Sequence, residues 1–290
     1  MVTRDTPWPD GTPCWVDLGT SDIPQSSSFY ASVFGWSIQE GPPEAGGYSM
    51  ARLEDRNVAG IGPVMGPPGT PSTWSTYFAA ADADAAAARI TSAGGQLIAG
   101  PMDVMDVGRL VVAADVTGAV FGLWQARSHT GVQVANVPGA FTWSEHMSRD
   151  FEGAKAFYAA VFGYEYGDMS SPGFSYATLL INGQQVVGGI GALPETTGPE
   201  NTGPENTGPE NTGPENTGPE NAGPDDVGGA QPAHWSVYFG TADTDKSVDL
   251  ATSHGGRVVR PAADSPYGRM AVVADQHGAV FSLISTPAED

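Results

Sequence analysis

Two carboxylates stand where they could do chemistry. Asp17 follows Trp15 by two residues, and Glu145 follows Trp143 by two. Residues two apart on a strand share a face, so each acid lies beside an indole. A carboxyl against an aromatic ring is poorly hydrated, which raises its pKa and suits it to act as a general base. The same acid can instead accept a hydrogen bond from a ligand hydroxyl, or be a structural acid bonded to backbone or to an arginine. Arg109 and Arg269, each just after a glycine at a strand start, are the candidate cations for a ligand or for an ion pair. Tyr48, Tyr176 and Trp124 join the two tryptophans as flat surfaces with one polar atom each, suited to stacking on a planar aromatic ligand. No phosphate loop, dinucleotide glycine motif or Ser-His-Asp order is present, and Gly60-x-Gly62 is read as a strand edge. Cys14 is the one cysteine, in a strand-like stretch that suits a small buried hydrophobe.

These residues recur because the chain is duplicated. Trp15, Asp22, Phe29-Tyr30 and Phe34-Gly35 return as Trp143, Asp150, Phe157-Tyr158 and Phe162-Gly163, at a constant offset of 128. Tyr48 meets Tyr176 at the same offset. Further on, Trp74-Ser-Thr-Tyr77-Phe78 returns as Trp235-Ser-Val-Tyr238-Phe239, and Asp115 to Phe121 returns as Asp275 to Phe281, at offsets of 161 and 160. The increase marks an insert, in which Thr197-Gly-Pro-Glu-Asn201 repeats through Asn221. The repeat carries no apolar side chain to offset its conformational entropy, so the insert over 194–232 is expected to be disordered and incidental to function.

The elements that position the acids follow from periodicity. Residues 13–20 alternate as a strand. Asp22 and Pro24 signal a helix start, the apolar face of 24–34 is helical, and Gly35 ends it. Strands are expected at 48–53 and 58–64, and a second unit repeats the pattern with a helix at 84–93 and strands at 76–80, 96–99, 109–114 and 119–125. The expected architecture is α+β, with four βαβββ modules in two halves (13–127 and 140–286). A tail (1–12), a linker (128–139) and a short C-terminal tail (287–290) complete it. Paired curved sheets enclose a cleft suited to a small ligand.

Bulk properties narrow the partners. With 33 acidic and 12 basic residues and a net charge of −21, the chain repels phosphate backbones, so nucleic-acid binding is not expected. No apolar run reaches the roughly 18–20 residues of a membrane span, and the N-terminal residues lack a secretory pattern. A cytoplasmic protein without membrane contact, monomeric or homodimeric, is expected. The Ala- and Gly-rich, Lys-poor composition points to an actinobacterial source.

The strand-Asp-helix pattern with Phe-Tyr and Phe-Gly, and the closing Asp-x-x-Gly-Ala-x-Phe, resemble the vicinal oxygen chelate superfamily. That superfamily includes glyoxalase I, bleomycin-resistance proteins and extradiol dioxygenases. The resemblance covers about 13–127 and 140–286 and implies two glyoxalase-like domains with curved mixed sheets. Metal-binding members place a His on the first strand, about seven residues before the capping Asp, and a Glu on the last strand. Carried onto this chain, those slots hold Trp15 and Trp143, then Gly122 and Ser282; the second modules' first strands hold Ser75 and Ser236. None is a good ligand for a divalent metal. His234, two residues before Ser236 on the same face, is the histidine nearest such a slot; His146 faces away from Trp143. No metal and no cofactor is therefore expected. The resemblance implies a metal-independent protein binding a hydrophobic aromatic natural product, in resistance or beside polyketide biosynthesis. The alternative is a metal-free enzyme, a hydroxylase, isomerase or cyclase, with Asp17 or Glu145 as base.

Overall fold

The computed structural model describes residues 1–67, 69–194 and 231–285. The repeat insert lies outside them. In chain order the elements are β1 (Val2–Thr3), β2 (Pro13–Thr20), α1 (Ile23–Phe34), β3 (Ser37–Glu40), β4 (Ser49–Leu53), β5 (Arg56–Pro63), β6 (Thr73–Ala79), α2 (Ala83–Ser92), β7 (Gln96–Val104), β8 (Gly108–Ala114) and β9 (Val120–Ala126). After β10 (Val134–Ala135) the second half repeats them as β11 (Phe141–Ser148), α3 (Phe151–Phe162), β12 (Glu165–Asp168), β13 (Tyr176–Ile181), β14 (Gln184–Ala192), β15 (His234–Gly240), α4 (Thr244–Ser253), β16 (Arg257–Ser265), β17 (Gly268–Ala274) and β18 (Val280–Ser285).

Each helix begins where its sequence says it should. Asp22, Asp82, Asp150 and Asp243 each accept a backbone N–H three residues on, satisfying a donor the helix leaves open. Gly35 and Gly163 end α1 and α3 in the left-handed region, at φ 72° and 74°, a conformation that favours glycine.

Each half closes into one eight-stranded mixed sheet, ordered β3-β4-β5-β2-β6-β9-β8-β7 and β12-β13-β14-β11-β15-β18-β17-β16. The first strands of the two modules pair antiparallel at each sheet's centre, β2 with β6 and β11 with β15. Besides the short β1 and β10 of the tail and linker, two strands escaped the periodicity, β3 and its counterpart β12. They are sheet-edge strands with little buried apolar surface, so they carry no clear alternation. Gly60 and Gly62 do not lie at a strand edge as expected. They sit within β5, between β4 and β2, under the Tyr48 ring.

The helix-bearing faces of the two sheets meet. Thr76 on β6 hydrogen-bonds Ser144 on β11 at 2.8 Å across the seam. The Phe-Tyr pairs that mark the duplication bury themselves here, in exchange: Tyr30 of the first half donates to Asp275 of the second, and Tyr158 of the second donates to Asp115 of the first. Trp74 and Trp235 donate their indole N–H to Tyr30 and Tyr158 at 2.9 and 2.7 Å, so both belong to the core. The opposite, concave faces carry the candidate site.

Candidate functional site

On the first concave face, Trp15 Nε1 donates to Tyr48 Oη at 2.9 Å, and Tyr48 Oη donates to Asp17 Oδ2 at 3.3 Å. Tyr77, beside Trp15 on β6, also hydrogen-bonds Asp17. The second face repeats the arrangement. Trp143 Nε1 donates to Tyr176 Oη at 3.0 Å, Tyr238 Oη donates to Glu145 Oε2 at 2.7 Å, and Tyr176 hydrogen-bonds Glu145 as well. Each half therefore gathers one carboxylate, two phenols and one indole. Glycines make this possible. A Cβ at Gly60 or Gly189 would overlap the hydroxyl of Tyr48 or Tyr176, so those rings lie directly on the sheet.

Electrostatics follow from the enclosure. Burial pushes Asp17 up to about 7, although the hydrogen bonds from Tyr77 and Tyr48 favour its charged form. Burial and the neighbouring Asp17 hold both tyrosines well above their ordinary range, so they remain neutral donors. Tyr176 is raised likewise by burial and Glu145.

The structure brings Trp15, Asp17 and Tyr48 together in one cleft, and Trp143, Glu145 and Tyr176 in the other. Trp124 joins the first cleft, its ring over Gly108 and its Nε1 donating to His129 O at 2.8 Å. Arg109 and Arg269 are not brought to the acids. Each emerges toward the helix side of its sheet, where Arg109 pairs with Asp84 and Asp103 and Arg269 with Asp245 and Asp264, at 2.6–3.0 Å. Asp17 and Glu145 each meet tyrosines, and Arg109 and Arg269 lie elsewhere. His234 lies at the start of β15 with Nδ1 2.9 Å from Pro232 O, beside Gln231. Cys14 is buried, which pushes its thiol far up and leaves it inert.

Sequence reasoning passed over three participants. Tyr77 and Tyr238 sit in the repeated Trp-Ser-x-Tyr-Phe motif, and their alternation with Trp74 and Trp235 places them on the cleft face; that signal was present. His129 belongs to the linker yet packs edge-on against Trp15, ring centres 4.3 Å apart, and against Trp124 at 5.3 Å. A long-range contact of this kind leaves no local trace. A cavity of about 250 Å³ lined by Trp8, Cys14, Ala80, Trp124 and Thr130 adjoins this end of the cleft. An open hollow of about 500 Å³, lined by Val64, Thr70, Ser72 and His277 among others, is bordered by neither acid nor its tyrosines.

The metal slots of the fold can be tested against this geometry. Trp15 and Trp143 use their indoles as hydrogen-bond donors, the Tyr77 ring covers Gly122, and Ser282 is buried. Among the described residues no group of three or more His, Cys, Asp or Glu is placed to hold a metal ion. One carboxylate ringed by phenol donors does not supply the several converging lone pairs a divalent metal requires. The residues present do not fit one.

Paired βαβββ modules with a cleft in each sheet define a glyoxalase-like fold. The profile of the Glyoxalase/Bleomycin resistance protein/Dioxygenase superfamily matches residues 14–123 and 143–283, and the chain belongs to that superfamily. It is 33% identical to the anthracycline biosynthesis protein DnrV of Streptomyces peucetius, over 98% of this chain and 95% of that one. It is 35% identical to CFP32 of Mycobacterium tuberculosis (strain CDC 1551 / Oshkosh), provisionally named a glyoxylase, over 94% of each chain. Among solved structures it is similar to the Mn(II)-bound glyoxalase from Novosphingobium aromaticivorans, with TM-score 0.60 and 14% identity over 95% of this chain and 82% of that one. The 2,3-dioxygenase LapB from Pseudomonas sp. KL28 gives TM-score 0.60 and 11% identity, over 97% of this chain and 94% of that one. At these identities the two structures speak for the fold alone. No helix among the described residues is long and apolar enough to cross a membrane.

Proposed function

We propose that this protein binds a hydrophobic, planar aromatic small molecule without a metal ion, as part of secondary metabolism. The observation that carries the reading is the carboxylate–tyrosine–tryptophan cluster standing where metal-binding members keep their ligands. Its aromatic rings offer stacking surface, and its acid and phenols offer hydrogen bonds to ring hydroxyls or carbonyls. Similarity to anthracycline biosynthesis proteins over nearly the whole chain supports an aromatic polyketide as the ligand class and an auxiliary or protective role beside its biosynthesis. Arg109 and Arg269 are committed to surface carboxylates, which favours a neutral or cationic ligand over an anionic one.

The test is titration of tryptophan fluorescence in chelator-dialysed protein with 1,4-dihydroxyanthraquinone. Saturable quenching is expected. Binding that appears only after adding Mn(II), Fe(II) or Zn(II) would contradict the reading.

A second reading has one observation on its side. Asp17 is raised to about 7, near the operating pH at which a general base is most effective. It would then remove a proton from a bound ligand, as an isomerisation or ring closure requires. Turnover of a candidate polyketide lost in Asp17→Asn with binding retained would favour it.

A further inference from the structure

The two clefts share a plan but differ in what a ligand can reach. In the first, Asp17, Tyr48 and Tyr77 all keep part of their surface open while Trp15 is 3% exposed. In the second the indole, the acid and the β15 tyrosine exchange these states, and Tyr176 stays as open as Tyr48. Glu145 is 6% exposed and Tyr238 2%, whereas Trp143 and Tyr176 are only half-buried. Asp17 keeps part of its surface open and Glu145 does not.

The strands beneath the two tyrosines differ locally. Tyr77 lies flat on Gly122, and a Cβ there would overlap its ring. The second half has Ser282 at the matching place, paired with Tyr238 as Gly122 is with Tyr77. A ring cannot lie flat on that side chain. Tyr238 is buried instead with its hydroxyl 2.7 Å from Glu145.

The first cleft also has a wall built by the linker. The linker crosses its end as a strap. His129 N donates to Val107 O, Val132 N to Cys14 O and Gln133 N to Asn57 O, at 2.8–3.1 Å. Trp8 Nε1 clasps the strap through Val132 O, and β1 pairs with β10. The strap seats the His129 ring against Trp15 and Trp124, with Nε2 buried and without a hydrogen-bond partner. A buried ring nitrogen left open is costly unless something else satisfies it. At the matching offset of 160 the second copy has Glu289 for His129 and Ile284 for Trp124.

We infer that the first half's cleft is the working site, in which Asp17 meets a hydroxyl of a hydroxylated planar aromatic ligand and His129 of the linker supplies a second polar contact, while the second half's cleft is a sealed structural copy. This rests on the binding function proposed above and assigns it to one place. Burial holds the His129 imidazole neutral, its pKa lowered to about 4, so it can exchange a hydrogen bond with a neutral hydroxyl.

The test has two arms. In the first, native protein is treated with a water-soluble carbodiimide and glycine ethyl ester, and the modified carboxyls are mapped by mass spectrometry. Asp17 labels and Glu145 is protected; equal labelling, or faster labelling of Glu145, overturns the assignment without any ligand. In the second, 1,4-dihydroxyanthraquinone and unsubstituted anthraquinone are titrated into wild type, Asp17→Asn, His129→Phe and Glu145→Gln, with Tm measured for each. One equivalent binds per chain. Asp17→Asn weakens the hydroxylated probe roughly 10- to 100-fold, the loss expected for a hydrogen bond to an ionisable group. His129→Phe weakens it about 5-fold while sparing the unsubstituted probe, and Glu145→Gln changes neither by more than about 2-fold. Two equivalents per chain, or a loss in folded Glu145→Gln equal to that in Asp17→Asn, overturns the assignment to one cleft. Absence of binding by wild type overturns the binding function itself and the ligand assignment with it. If Glu145→Gln does not fold, labelling of the wild type decides.

Discussion

At the scale of single residues, the proposed binding turns on Asp17. Its folded pKa of about 7 lies above the ordinary value of 3.8 that it regains on unfolding. Between these values the folded state holds a proton that the unfolded chain has released. The stabilisation is therefore complete below about pH 4 and is lost as pH rises through 7. The loss from this one group is on the order of 4 kcal/mol. Asp17→Asn stays neutral, and its urea stability should fall correspondingly less than wild type's between pH 4 and 7; parallel pH profiles would show that Asp17 titrates normally. The arginines belong to a contrary expectation. Arg109→Ala and Arg269→Ala remove exposed ion pairs on the helix side, so affinity for a neutral hydroxyanthraquinone should stay within about 2-fold of wild type. A large loss in either would bring the arginines back to the site.

At the scale of elements, the clefts depend on glycines in the strands beneath them. Gly122→Ser gives β9 the side chain that β18 carries, and should lift the Tyr77 ring and weaken probe binding roughly 10-fold, read by fluorescence titration. The seam between the halves depends on a buried polar chain. Asp115 accepts from Tyr158 and shares a 2.8 Å contact with His146 Nε2, while its other oxygen accepts from Thr117 and Ala119. Burial pushes this carboxyl up, but the bond and charge of His146 and the bonds from Thr117 and Tyr158 outweigh it and hold its pKa below the usual range. Its contribution is present above the unfolded pKa and fades as pH falls through the folded one. His146→Ala removes a fully buried partner and should cost about 3–5 kcal/mol by denaturant unfolding. The first half has Leu18 at the matching place, so the symmetric link from Tyr30 to Asp275 lacks the histidine.

At the scale of the molecule, the duplication was legible because repeated residues sit at repeated offsets, and the Asp caps and Gly stops are local signals. The pairing of Trp15 with Asp17 on one face was legible from alternation alone. What alternation cannot reveal is which partner arrives from elsewhere. His129 reaches the first cleft through the linker's hydrogen bonds, and Tyr30 and Tyr158 cross to the opposite half, none of which has a period. Asp17 and Glu145 also differ in exposure, and Gly122 under the Tyr77 ring is matched by Ser282 beside Tyr238, a difference whose effect depends on a ring from another strand. The crossed tyrosines also tie the halves into one unit. Each half alone would expose an aromatic face built for the other, so a fragment of residues 1–136 should aggregate or lack a cooperative transition, and the whole chain should melt in one step.

The central claim is a cleft that holds an aromatic ligand by stacking and by hydrogen bonds to a carboxyl, with no metal. Calorimetric titration of 1,4-dihydroxyanthraquinone into protein analysed for metal content in the same sample tests it most directly. One equivalent of ligand is expected to bind to protein carrying no stoichiometric metal, with affinity unchanged after chelation. Protein that carries one Fe, Mn or Zn per chain, and loses binding when the metal is removed, would contradict it.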